Sequence, residues 1–184
     1  MEADRAILLN VAGNFTHSST THTTHVNEKG YQRTDTTLGR QGLLHVKGED
    51  GVLQLNANNI DVTGASIIND GQGGTYLSAR NNMNFNALNV GFGEKMGEGN
   101  HYRNEAVNDV VVSSVKGAGN VTLSAKNIYA EGAGFDAKGR LIALAENDIV
   151  LGTAKRNSDY AEFHHTKSSS AFGGGVSKSM LCIN

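Results

Sequence analysis

Apolar and polar residues alternate along much of this chain in short runs. In Val121-Thr122-Leu123-Ser124-Ala125 every second residue is apolar, and Leu53, Leu55 and Ala57 repeat the same spacing. Successive side chains of a strand point to opposite faces, so a period of two buries one face and wets the other. No segment carries a convincing stripe of period 3.6. The pattern predicts an all-β chain of short strands separated by Asn or Gly corners and Gly-rich turns.

The runs also repeat. Set over one another, "GVLQLNANNIDVTGA" from Gly51 and "GNVTLSAKNIYAEGA" from Gly119 match without gaps at a shift of 68 residues. Leu53 falls on Val121, Leu55 on Leu123, Ala57 on Ala125, Asn59 on Asn127, Ile60 on Ile128 and Gly64 on Gly132. "HVKG" ending at Gly48 answers "SVKG" ending at Gly117 with a one-residue slip, and "YLSARNNMNF" from Tyr76 answers "IALAENDIVL" from Ile142. "LLNVAGNF", ending at Phe15, is a fragment of a third copy. The expected organisation is a single segment, 1–184, made of a partial module 1–42 and two modules, 43–109 and 110–180. A shorter beat runs inside each module: Ala57 to Ala79 is 22 residues and Ala125 to Ala145 is 20. Strands this short cannot bury an apolar face alone, so neighbouring copies must stack.

Stacking at about 20 residues per coil predicts a right-handed parallel β-helix, a β-solenoid with polar excursions between coils; the hand comes from the resemblance described below. Small inward residues at Ala57, Ala79, Ala125 and Ala145 suit a narrow interior. An antiparallel β-sandwich also uses short alternating strands but gives no reason for gap-free repetition. Composition agrees: 23 Gly, no Pro and 6% aromatics. Proline would remove a ladder donor from each stacked strand. The net charge of −2 offers no basic footprint, so nucleic acid is not an expected partner. Cys182 is the single cysteine and is expected to be a bystander thiol. The opening "MEADRAILLN" has no signal-peptide pattern, which leaves a cytosolic protein or an excised piece of a longer chain as expectations.

The pattern G-x-L-x-L-x-A-x-N-I followed by G-A, with the closing "EFHHTKSSSAFGGG" from Glu162, resembles the haemagglutinin repeats of two-partner-secreted exoproteins. These include filamentous haemagglutinins and contact-dependent growth inhibition effectors. The resemblance spans Ile7 to Lys178. It implies a right-handed β-helix in a long filament, secreted to the bacterial cell surface through an outer-membrane two-partner-secretion transporter. It further implies adhesion to a target-cell surface or outer membrane, or delivery of a C-terminal toxin. The final "LCIN" departs from the repeat and is expected to be either a boundary or a non-native remnant.

Three polar stretches leave the beat: Thr16 to Gly42, Leu88 to Asp109, and Thr153 onward. They follow equivalent places, after Phe15, Ala87 and Gly152, and all carry histidine: His17, His22 and His25, then His101, then His164 and His165. The spacing in "HSSTTHTTH" raises a zinc site, but the middle excursion has one His and no Cys, whereas zinc wants three or four ligands. The expectation is an exposed β-ribbon of hydroxyl residues with no metal or cofactor. "GFGEKMGEG" from Gly91 lacks the order of a phosphate loop and reads as a flexible turn. Asp61, Glu131, Asp136 and Asp148 are scattered and read as solvated charges. Asn14 and Asn120 begin chance-level glycosylation sequons. No residue is assigned a catalytic, cofactor-binding or metal role. The expected function is a non-enzymatic structural and interaction segment, with end-to-end self-association through open strand edges. The alternatives are a polysaccharide-active β-helix enzyme and a His-dependent metal-binding surface module.

Overall fold

The computed structural model describes residues 1–98, 101–168 and 176–183, and every regular element among them is a β-strand. The chain forms two compact units. One comprises Met1–Thr20, Leu38–Asn89 and Val110–Lys155; the other comprises Thr21–Thr37, Val90–Asp109 and Arg156–Asn184.

The first unit is built from successive turns of the chain. After β1 (Glu2–Ala3), the first turn runs through β2 (Ala6–Asn10) and β3 (Asn14–Ser18), leaves in β4 (Thr20–Glu28) and β5 (Tyr31–Arg40), and returns in β6 (Leu43–Val46). The second, β7 (Val52–Ala57), β8 (Asn59–Thr63) and β9 (Ser66–Asn69), makes no excursion. The third runs through β10 (Thr75–Ala79) and β11 (Asn82–Asn86), leaves in β12 (Leu88–Glu98) and β13 (His101–Val111), and returns in β14 (Ser114–Gly117). The fourth is β15 (Val121–Glu131) and β16 (Gly134–Ala137); the fifth is β17 (Leu141–Gly152), followed by β18 (Asn157–Ser168) and β19 (Val176–Ile183).

Corresponding strands of successive turns pair in parallel, as a stacked repeat requires and an antiparallel sandwich does not. The register puts like on like. Leu9, Leu55, Leu77, Leu123 and Ala143 form one inward column. Phe15, Ile60, Met83, Ile128 and Ile149 form another. Leu55, Leu77, Ile60, Met83 and Ile128 are all buried, each contributing about 1.5–3 kcal/mol. The 68-residue repeat is therefore two turns, since Leu55 reaches Leu123 through Leu77.

One sequence alignment is corrected by the register. Leu44 stacks on Ile67 and Ile67 on Val115, so "HVKG" and "SVKG" are offset by two residues from their apparent match. A slip of two preserves the alternation, which is why both valines still point inward and the sequence pattern does not reveal it.

The corners are polar and bonded. Asn14, Asn59, Asn82, Asn127 and Asn147 form a side-chain ladder over five turns. Asn59 Nδ2 donates to Asn14 Oδ1 at 2.7 Å, Asn127 Nδ2 to Asn82 Oδ1 at 2.9 Å and Asn147 Nδ2 to Asn127 Oδ1 at 3.3 Å. The Asn82 backbone N–H closes the remaining step by donating to Asn59 Oδ1 at 3.1 Å. Buried Asn69 satisfies the Gly51 and Gly74 carbonyls and the Gly71 amide from inside another corner. Each bond removes an orphan polar group that burial would penalise.

The excursions leave at a single register position. Ser18, Thr63, Asn86, Glu131 and Gly152 lie in one row. In the plain turns the chain bends there at Gly64 (φ 56°) and Gly132 (φ 61°), left-handed conformations that favour glycine. A Cβ on Gly64 would sit 2.5 Å from Leu88 Cβ, and one on Gly132 would sit 2.2 Å from Ala154 Cβ. The feet of the second and third excursions thus pack onto the corner glycines. Buried hydroxyls complete the feet: Ser113 donates toward the Val62 and Asn86 carbonyls, and Ser19 to the Gly64 carbonyl while accepting from the Gly42 amide. The first excursion begins later than its composition predicts, because Thr16 and His17 still belong to β3.

In the second unit the excursion strands are hydrogen-bonded in the order β19-β18-β13-β12-β5-β4, one six-stranded sheet. Its described registers, β5 with β12, β13 with β18 and β18 with β19, are antiparallel. Residues 43–109 supply two strands, β6 and β9, to the five-stranded parallel sheet, four, β7, β8, β10 and β11, to the eight-stranded one, and two, β12 and nearly all of β13, to this one. "GFGEKMGEG", read from sequence as a flexible turn, lies in β12 from Gly91 to Glu98; Gly99 lies outside the described residues. Glycine patterns that suit a loop are also compatible with a strand whose ladder bonds are made by neighbours, here by β5. Leu181–Ile183, expected to be a boundary or a remnant, pair with Ala161–Phe163 as the end of β19.

Candidate functional site

The antiparallel sheet gathers side chains from all three excursions, and its register sorts them onto two faces. Tyr31, Arg33 and Asp35 of β5 stand opposite Met96, Glu94 and Phe92 of β12. Arg103 and Glu105 of β13 stand opposite Glu162 and Tyr160 of β18. Directly opposed residues share a face, and bonds across the strands join these sets into one network. Glu94 accepts from Arg33 Nη1 at 3.0 Å, from Arg103 Nη2 at 3.2 Å and from the Tyr31 hydroxyl at 3.1 Å. Arg33 forks onto Asp35 at 2.6 and 2.7 Å and stacks over the Phe92 ring, 4.6 Å from its centroid. Arg103 also reaches Glu105 at 2.9 Å. Its Nε is buried with no hydrogen-bond partner among the described residues.

The ionisation of this face follows from its geometry. Hydrogen bonding by Arg33 holds both Glu94 and Asp35 below their ordinary carboxylate values, against the opposing effect of desolvation. Hydrogen bonds from Tyr160 and then His164 lower Glu162, and the same bond to Glu162 raises Tyr160. A carboxylate held by two guanidinium groups is a poor proton donor near neutral pH. The arrangement clamps strands together rather than poising an acid and a base.

The opposite face carries imidazole, hydroxyl and amide groups at its first edge. His25 Nδ1 and Thr34 Oγ1 are 3.0 Å apart, Thr23 and Thr36 hydroxyls 3.1 Å, and Gln32 Nε2 donates to Asn27 Oδ1 at 3.3 Å. A shallow depression of about 690 Å³ opens on this sheet, lined by His25, Gln32, Thr34, Gly93, Lys95 and Asn104 among others. Tyr102 and Phe163 stack with centroids 5.6 Å apart. In the parallel unit a separate groove of about 750 Å³ is lined by Asn58, Asn81, Arg80, Lys126 and Glu146.

The histidines of "HSSTTHTTH" do not converge. His17 lies in the parallel unit, at the row of Val62 and Phe85, half-buried and stacked on Phe15. Its Nε2 donates to the Ser66 carbonyl at 3.2 Å, and burial lowers its pKa from the ordinary value. His22 and His25 are exposed on β4. The expected all-ribbon assignment is therefore corrected for His17: the apolar column, not polar composition, decides where a strand ends. His101 and His164 are brought together, directly opposed across β13 and β18, and His165 follows His164. Among the described residues no group of three or more His, Cys, Asp or Glu side chains is placed to hold a metal ion.

Of the scattered acids, Glu131, Asp136 and Asp148 are exposed, and Asp61 accepts from Asn84 Nδ2 at 2.6 Å. Both sequon asparagines are engaged in stacking: Asn14 through Asn59, and Asn120 by accepting from the Arg140 amide at 2.8 Å. Cys182 stands opposite Glu162 in the β19 register; its side chain lies outside the described residues. The Arg33–Glu94–Arg103 clamp was not anticipated. Its only sequence signal is alternation, Tyr31-Arg33-Asp35 and Arg103-Glu105, since Arg33 comes from the first excursion and Glu94 and Arg103 from the second.

No family model, curated protein or solved structure matches this chain.

Proposed function

We propose that the chain is a non-enzymatic structural and interaction segment of a large secreted bacterial surface exoprotein. In this reading the parallel unit is a right-handed β-helix, and the sheet made by the excursions is the surface offered to partners. The observation that carries it is the common exit position: every second turn sends out two strands at one row, and these assemble into a single sheet. Stacked apolar columns supply stiffness; the exposed hydroxyls, amides and imidazoles of the sheet supply contact. The likeness of the repeat to those of two-partner-secreted exoproteins supports export through an outer-membrane transporter and a role in adhesion or in presenting a C-terminal toxin to neighbouring cells. End-to-end association is supported by β17, an edge strand whose column residues Leu141, Ile149 and Leu151 are exposed.

The test is binding of the fluorescently labelled chain to intact bacterial and host cells. A variant carrying Thr23→Ala, His25→Ala, Thr34→Ala and Thr36→Ala is compared with it. Saturable binding that the variant loses supports the reading; equal binding by the two overturns the role of this face. The groove at Arg80, Lys126 and Glu146 favours polysaccharide cleavage as a second reading. Release of new reducing ends from an acidic polysaccharide, abolished by Glu146→Gln, would replace the first reading with the second.

A further inference from the structure

We infer that His101 and His164 form a binding site for a divalent transition metal, matched in geometry to zinc, across strands β13 and β18. The two residues are direct partners in the antiparallel register, so their side chains rise from the same face. Their Nδ1 atoms stand 3.3 Å apart, with ring centroids 5.6 Å apart and planes inclined by 47°. Two imidazole nitrogens each about 2.0–2.1 Å from a zinc ion, at a tetrahedral angle, are separated by about 3.3 Å. The observed spacing equals that bite; in the ion-free protein it is a hydrogen bond from His101 Nδ1–H to His164 Nδ1, and an ion takes the place of that proton as His101 shifts to its Nε2–H tautomer.

The tautomer is set on the correct side. His164 Nε2 meets Glu162 Oε1, and a carboxylate oxygen accepts, so Nε2 carries the proton and Nδ1 presents its lone pair toward His101. A carboxylate behind a ligating histidine orients the ring and raises its basicity. Glu162 is itself fixed by the Tyr160 hydroxyl at 2.6 Å. Arg103 is the cation opposite Glu162, and its charge is met by Glu94 and Glu105. Both histidines are exposed, which leaves the remaining coordination positions to water or to a ligand from a partner. Imidazole suits zinc, nickel and copper among the available divalent ions. The site differs from the "HSSTTHTTH" cluster and uses the second and third excursions, so an ion there would tie one to the other.

The experiment is calorimetric titration of the full chain with zinc chloride in a non-chelating buffer at pH 7.5, with circular dichroism confirming that each variant is folded. One ion should bind per chain, and His101→Gln and His164→Gln should each weaken it at least tenfold. Glu162→Gln, which leaves both nitrogens in place, should weaken it about tenfold. His101→Asp, which restores a donor at that position, should recover part of the affinity lost in His101→Gln. His22→Gln with His25→Gln should leave it unchanged. Absence of zinc binding by the folded wild-type chain overturns the inference. So does binding that survives both His101→Gln and His164→Gln.

Discussion

The parallel and antiparallel units reach order by opposite chemistry. All the residues of the apolar core cluster belong to the parallel unit, where they stack in columns of Leu, Ile, Val and Ala. Among the described residues of the antiparallel unit the one buried side chain is a glutamate, Glu94. There, strands are joined by guanidinium–carboxylate bonds, hydroxyl pairs and one aromatic stack. The contrast shows how a repeat can devote one part of each module to burial and another to display. Inward positions are filled mainly by apolar residues, with Thr75 buried between Leu53 and Val121, whereas excursion positions need only find a partner across the strand.

Substitutions in the columns should have the largest effect. Leu123→Asp places an unpaired carboxylate between Leu77 and Ala143 and should cost more than about 4 kcal/mol. Ser124→Asp, one residue along on the outward face, should stay within about 0.5 kcal/mol. Thermal melts followed by circular dichroism distinguish them, and equal melting temperatures would show the facing to be wrong.

Gly64→Ala should come next, at about 2 kcal/mol or more, because the new Cβ meets Leu88 on a left-handed backbone. Urea midpoints measure it. A neutral result would mean that the foot of the second excursion does not rest on this corner.

Within the ladder, Asn127→Ala removes a donor to Asn82 and an acceptor for Asn147 and should cost about 1 kcal/mol. A cost near zero would make the ladder a by-product of stacking.

Glu94→Gln should hardly alter the global transition but should speed amide exchange in β5, β12 and β13, leaving β7 and β10 protected. Uniform acceleration would show that the clamp supports both units.

Acid should separate the units more gently. His17 is held neutral by burial, its pKa below 6.5, so the folded state binds a proton less readily than the unfolded one. Its contribution is complete above about pH 6.5 and is lost as pH falls through the lowered folded value. Asp35, Glu94 and Glu162 are also lowered, from 3.8 for Asp35 and 4.5 for the two glutamates. Their contributions are present above those ordinary values and are lost in more acidic solution. Urea midpoints of the parallel unit should begin to drop near pH 6.5, and the drop between about pH 6.5 and 4.5 should be absent in His17→Phe. Below that, Glu2 of the same unit, lowered by its hydrogen bond with Lys47, also contributes, and exchange in the antiparallel sheet should accelerate only below about pH 4.5.

Much of the parallel unit was legible because its determinants are local and periodic. Alternation names the inward face, and the 68-residue match names members of one row two turns apart, though not the direct partner between them: Leu55 with Leu123, Asn59 with Asn127, Gly64 with Gly132. Each has its expected row or corner in the structure. The slip at "HVKG" escaped because a shift of two residues leaves the pattern intact. His17 escaped because its neighbours in composition are the ribbon's, while its neighbours in space are Phe15 and the row of Val62.

The sequence by itself determined that the chain is all-β, that its modules repeat, and that three polar excursions leave at equivalent places. Those properties follow from the period of the side chains and need no knowledge of distant contacts. Only the tertiary structure decided that the excursions join one another in one sheet, that Arg33, Glu94 and Arg103 meet, and that His101 faces His164. Arg33 and Glu94 lie 61 positions apart and His101 and His164 63, in segments without repeat identity, while Glu94 and Arg103 lie 9 apart on β12 and β13. Their register is set by the row from which the strands depart and by cross-strand bonds, and neither leaves a periodic mark along the chain.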